Sequence, residues 1–197
     1  KALLGRLPAV AMEFARTRFV SMDFLKSQAI TAVAEPLVAE ADLICSYHLL
    51  PWGFAGARLA ERWGKPFCMV NFGEVYAGEA HYRKHARQVR YAAAQAAELV
   101  SVSQHCARSL SLLGLDREVD VIPMGVDIDA LSPGTDGSAM RQRYGIAADE
   151  PVVLYLGRMH RNLGLHTVLE ALPSLVGQAK IIIAGARGEL TWAAEAA

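Results

Sequence analysis

The chain has 197 residues, 53% of them hydrophobic and 20% charged, and its formal net charge is zero. That balance predicts a well-buried globular protein and excludes a disordered chain. It also argues against nucleic-acid binding, which needs a basic surplus. Three cysteines without a CxxC pair read as reduced thiols of a cytoplasmic protein, and no apolar run reaches the ~20 residues needed to span a bilayer.

Taken in order, Leu3 to Phe24 reads as irregular helix broken by Pro8, and Asp23 to Ala39 as a helix interrupted near Pro36. Asp42 to Tyr47, DLICSY, is a short buried strand with His48 in the loop after it. Trp52 to Trp63 is an amphipathic helix stopped by Gly64. Phe67 to Phe72 is the next strand, Gly73 to Gly78 a loop and Glu79 to Ala97 one long helix. Leu99 to Val102 is a strand, Ser103 caps a helix over Gln104 to Leu113, and Val119 to Ile122 is a strand. Strands alternating with helices at this spacing predict a parallel, doubly wound α/β sheet. Pro123 to Gly134 breaks the alternation and reads as a linker between residues 1–122 and 135–197. Ser138 to Tyr144 is a short helix.

Pro151 to Leu172 is one strand, one loop and one helix. Val152 to Leu156 form an unbroken apolar run, the pattern of a strand covered on both faces. Gly157 ends it, Arg158, His160, Arg161 and Asn162 fill the turn, and Leu165, Val168, Leu169 and Leu172 follow at helical spacing. A strand, a polar loop and a helix N-terminus make an anion site, because free N–H groups and the helix dipole face the loop. Arg158 adds a bidentate charge there. The alternative is a solvated turn, and Arg161 fits that alternative better. Lys180 to Ala184 is the next strand, and Gly185 and Gly188 mark a second turn.

Other candidates sit at strand ends, where open α/β sheets bind ligands. These are His48 after the first strand and Asn71, Gly73 and Glu74 after the second. Glu74 could accept hydrogen bonds from sugar hydroxyls or act as a base, or be a surface carboxylate. His81 and His85 have metal-ligand spacing, but the sequence offers no third ligand. Arg83, Arg87 and Arg90 share a helix face, read as an ordinary solvated face or as attraction to a membrane surface or anionic acceptor.

Two segments resemble a known family. LGRMHRNLGLHTVLEAL is similar to the G-R-x-x-x-x-K-G-x-x-x-L-L-x-A-L segment of family-4 retaining glycosyltransferases of the GT-B fold. VDVIPMGVDIDALSP resembles that family's V-x-V-I-P-N-G-V-D-x-x-x-F-x-P segment. The resemblance runs from roughly Ala41 to Gly188. It implies two Rossmann-like domains, both incomplete in this chain: the later part of an acceptor domain over 1–122 and the start of a donor domain over 135–197. It implies transfer of a sugar from a nucleoside-diphosphate sugar to a saccharide, lipid or small molecule. No metal or other cofactor is implied. Cytoplasmic residence, with contact at the inner face of a membrane, remains compatible with it. Gly157 and Arg158 match the diphosphate-binding pair, and Gly185 the glycine after the next donor-domain strand.

Three departures stand beside the match. Leu163 occupies the position of the family's second phosphate-binding cation, a lysine. Gly73 and Glu74 stand where many members carry a histidine. The family's E-x7-E pair would fall beyond Ala197, and the opening Gly-rich acceptor-domain loop is missing. The expectation is therefore a fragment of a transferase, inactive by itself. The alternatives are a non-catalytic GT-B partner protein and a sugar-nucleotide epimerase.

Overall fold

The computed structural model describes residues 4–17 and 21–196. The chain divides into two units that meet at Gly125 and Val126. That point falls inside the segment 123–134, which carries no strand and no α-helix.

The first unit is a parallel sheet of four strands, β1 (Ile44–Tyr47), β2 (Phe67–Asn71), β3 (Glu98–Ser101) and β4 (Asp120–Val121), in that spatial order. Its helices are α1 (Leu7–Thr17), α2 (Met22–Val38), α3 (Phe54–Trp63), α4 (Glu74–Ala77), α5 (Glu79–Lys84), α6 (Ala86–Gln95) and α7 (Gln104–Ser109). The register pairs Cys45 with Cys68, and Asn71 with Ser101. Phe67, Met69, Leu99, Val89, Leu110 and Leu113 fill the core and are almost completely buried. Withdrawing each such side chain from water contributes about 1.5–3 kcal/mol.

Local chemistry sets the ends of these elements. Ser21 and Ser103 cap α2 and α7, each hydroxyl accepting an N–H at 3.1 Å, from Phe24 and Cys106. Gly64 closes α3 in the left-handed region, at φ 60°.

Several expectations need correction. Pro8 does not break a helix; it lies in the first turn of α1, where a missing N–H costs nothing. Pro36 sits inside α2, and the helix runs through it to Val38. The expected loop after β2 is the helical turn α4. The expected long helix is two, α5 and α6, separated at His85 (φ −105°, ψ 16°). The His85 N–H is shared between the carbonyls of His81 and Tyr82, which tightens the turn and ends α5. The chain resumes as α6 without any Gly or Pro to announce the break. Strand β1 is not buried: Tyr47 is 60% exposed and Cys45 is exposed, because β1 is the edge of the four strands.

The second unit contains α8 (Ser138–Arg143), β5 (Val152–Leu156), α9 (Leu165–Leu175), β6 (Lys180–Ala184) and α10 (Thr191–Glu195). Strands β5 and β6 pair in parallel from Val152–Lys180 to Leu156–Ala184. The apolar run of β5 is not covered on both faces. Leu154 is 60% and Leu156 76% exposed. Among the described residues of this unit, only Ile146, Leu165 and Leu190 are buried hydrophobics. No helix among the described residues is long and apolar enough to cross a membrane.

Candidate functional site

Two groups of loops collect the residues singled out above, one in each unit. In the first unit they lie past the carboxyl ends of β1 and β2. His48 follows β1 with φ +83°, a region that costs a non-glycine residue roughly 1–3 kcal/mol and persists only where neighbours hold it. Its neighbours do. The His48 N–H donates to Val70 O at 2.9 Å, its carbonyl accepts from Gly53 N–H at 3.1 Å, and its ring packs on Phe72 at 5.1 Å.

Glu74 is a latch between the two loops. One carboxylate oxygen accepts the Leu49 N–H at 2.7 Å and the other accepts the Phe72 N–H at 2.7 Å. His48 Nδ1 lies 3.6 Å from the first oxygen. The side chain is 13% exposed. Charged acceptors held by two backbone donors are strong and well oriented.

Asn71 is fully buried. Its amide nitrogen donates to Cys106 O at 2.8 Å and to Ser101 Oγ at 3.2 Å, and its Oδ1 accepts the Gly73 N–H at 2.9 Å. It thus joins β2, β3 and α7 and shapes the turn rather than facing solvent. Gly73 has φ +85°, and a Cβ there would meet Cys106 Sγ at 2.7 Å. Only glycine fits both constraints. His48 also lines a cavity of about 440 Å3 with Tyr47, Trp52, Cys45 and Ile30.

In the second unit the turns after β5 and β6 touch through their backbones. Gly157 N–H donates to Ala184 O at 2.9 Å, and Met159 N–H to Ala186 O at 3.0 Å, extending the ladder beyond the strands. A Cβ on Gly185, at φ +146°, would stand 1.8 Å from the Gly157 carbonyl oxygen. A Cβ on Gly188 would stand 2.6 Å from Met159 O. The two turns can approach this closely only because these positions lack side chains.

Arg158 stands at this junction. Its carbonyl accepts the Tyr155 hydroxyl at 2.7 Å, while its side chain is exposed and makes no ion pair or hydrogen bond among the described residues. Arg161 opens a 3-10 turn to Leu163, and Gly164, at φ +82°, leads into α9, which has no side-chain cap.

The spacing of residues gave no hint of Glu189. Its carboxylate accepts the Arg161 N–H at 2.8 Å and lies 3.5 Å from His160 Nδ1. The hydrogen bond from the Arg161 N–H, with the neighbouring Arg161 guanidinium and His160 ring, holds the Glu189 carboxyl below its ordinary range. An acidic residue 28 positions away, in a Gly-rich turn, gives no periodic signal in the sequence. Leu163, in the place of the family's lysine, is 43% exposed.

The basic helix face divides. Arg83 pairs with Glu79 at 2.6 Å and Arg90 donates to Leu113 O at 2.9 Å, so these two arginines are engaged within the chain.

The structure of Anabaena Alr3699/HepE in complex with UDP superposes with a TM-score of 0.66 at 22% identity, over 82% of this chain and 44% of that one. This likeness places the fold with the GT-B enzymes. A D-inositol 3-phosphate glycosyltransferase of Xylanimonas cellulosilytica is 26% identical over 159 residues, 73% of this chain and 38% of its own length. The same enzyme of Mycobacterium tuberculosis (strain ATCC 25177 / H37Ra) is 36% identical over 88 residues, 44% of this chain and 18% of its own. The chain thus spans well under half the length of these curated relatives. Residues 8–130 match the model described as Glycosyltransferase Family 4, and the chain belongs to that family.

Proposed function

We propose that the chain is part of a retaining glycosyltransferase that takes a sugar from a nucleoside-diphosphate sugar. In this reading the second unit holds the donor diphosphate and the first contributes acceptor-side loops. The observation that carries it is Arg158: an exposed, unengaged guanidinium in a glycine-locked double turn that leads, through the Arg161–Leu163 turn, into the uncapped helix α9.

The chemistry suits a departing nucleoside diphosphate. Charge builds on the leaving group in the transition state, and a fixed cation with backbone N–H groups stabilises it without reorganisation. Arg158 supplies the fork, and α9 supplies the positive end of a helix dipole. Arg161, three residues on in the same turn, offers a second cation, its backbone N–H held by Glu189. In the first unit, Glu74 acts by holding the two loops, and His48 is the side chain those loops present. UDP in complex with the Anabaena protein makes uridine nucleotides the first donors to screen.

One observation favours a second reading, a non-catalytic GT-B protein: Leu163 has no charge to offer a phosphate. Replacing Leu163 with Lys separates the two. In the whole protein of which this chain is part, a transferase gains donor affinity and changes its rate of sugar-nucleotide turnover in the presence of candidate acceptors. A protein that binds no donor gains nothing, and absence of turnover and of donor binding in both forms overturns the transferase reading.

A further inference from the structure

The fold supplies the third ligand that the His81–His85 spacing lacks. Asp23, in the first turn of α2, comes to His81 and His85, on α5 and at its C-terminal break, across more than 50 residues of sequence. One ligand atom from each of the three lies within 4.8 Å of the other two. His85 is buried, Asp23 partly buried and His81 exposed, so the group opens to solvent on one side.

The Asp23 oxygen is the informative atom. Its Oδ2 is buried and stands 2.6 Å from His81 Nε2. A buried carboxylate oxygen against one imidazole, with the second imidazole of His85 within reach, offers a cation one donor atom from each of three side chains. Two imidazoles at i, i+4 and one carboxylate are borderline donors that suit zinc and its first-row neighbours better than magnesium or calcium.

We propose that Asp23, His81 and His85 form a site for a divalent transition-metal ion of the zinc class. Three protein donors leave at least one coordination position for water or an anionic ligand, unlike the closed four-ligand pattern of structural zinc. The ion ties the start of α2 to the break between α5 and α6. His85 also lines the cavity of about 730 Å3 bounded by Phe24, Phe54, Arg58, Arg87 and Tyr91. The inference is independent of the donor reading above, since it concerns residues of the first unit alone.

The test uses the protein without any polyhistidine tag, stripped with chelator and dialysed against Zn2+, with bound metal measured by elemental analysis. Co2+ serves as the visible-light probe. The expected result is one tightly held zinc per chain, a rise in Tm and a cobalt ligand-field band. Asp23→Asn and His81→Ala each weaken binding at least about 100-fold, while His105→Ala, an exposed histidine elsewhere, leaves it unchanged. Circular dichroism reports whether each variant folds. Should one fail, histidine ring 1H–15N spectra of the wild-type protein with and without Zn2+ decide the matter. Shifts confined to His81 and His85 support the site. Binding below one equivalent, or equal binding by folded Asp23→Asn and His81→Ala, overturns it and leaves a plain His81–Asp23 ion pair.

Discussion

The two parallel sheets are built on the same strand–turn–helix plan, yet different forces define them. In the first, β2 alternates buried and half-buried positions, and Phe67, Met69 and Asn71 are withdrawn from solvent. In the second, β5 leaves Leu154 and Leu156 largely exposed. The turn that follows β5 is nonetheless as closely defined as the one after β2. Side chains define the first: Asn71 and Glu74 bind the backbone N–H groups of Gly73, Phe72 and Leu49. Backbones define the second: Gly157 and Gly185 touch directly. An apolar core is therefore not what shapes the turn after β5. Local steric fit is enough, and it leaves the side chain of Arg158 exposed and unpaired among the described residues.

Substitutions can break this comparison, and the largest effect belongs to the core. Met69→Ala should cost about 3 kcal/mol, since a fully buried side chain leaves a cavity. Leu154→Ala at an equivalent strand position should cost under about 0.5 kcal/mol, because its side chain is mostly in water. Amide hydrogen exchange measured separately over β2 and β5 reads both. Equal effects would remove the contrast.

Next come the two latches. Glu74→Ala leaves the Leu49 and Phe72 N–H groups without their acceptor and should cost about 2 kcal/mol, seen as faster exchange of those two amides. Gly185→Ala forces a Cβ against the Gly157 carbonyl and should cost about 2 kcal/mol or more, confined to the second unit. If exchange in β1 to β4 changes as well, the two units are not independent in stability.

The smallest effect is electrostatic. The Glu189 carboxyl is held below its ordinary range, so its contribution is complete above the usual glutamate pKa and is lost as pH falls through the lowered one. Acidification below the ordinary carboxylate range should release the Arg161 amide. Glu189→Gln should flatten that response in a 1H–15N titration. A release at neutral pH would mean that another group controls the turn.

Much of the strand–helix alternation could be read from the sequence, because caps and stops act locally: Ser103 and Gly64 announce their own roles. The break at His85 could not, since it arises from a shared hydrogen bond and no residue there is a helix breaker. The exposure of β5 was equally hidden, because an apolar run states a preference and not what lies against it. Within the loops, the sequence could place Glu74, Asn71 and Arg158 at strand ends. It could not show that Glu74 and Asn71 spend their polar atoms on backbone groups while Arg158 keeps its own. Glu189 and Asp23 went unnoticed for one reason: each meets its partner across 28 or more residues. The family match, residues 8–130, lies almost wholly in the first unit, while the turn of Gly157 and Arg158 belongs to the second.

The most direct measurement is calorimetric titration of UDP and GDP into the whole wild-type protein that carries this chain and into its Arg158→Ala form. The account predicts saturable binding of a nucleoside diphosphate by the wild type, weakened at least about tenfold by Arg158→Ala, as expected for loss of one charge-assisted pair. Equal affinity in the two proteins, or no binding by the wild type, would contradict the assignment of the diphosphate to this turn.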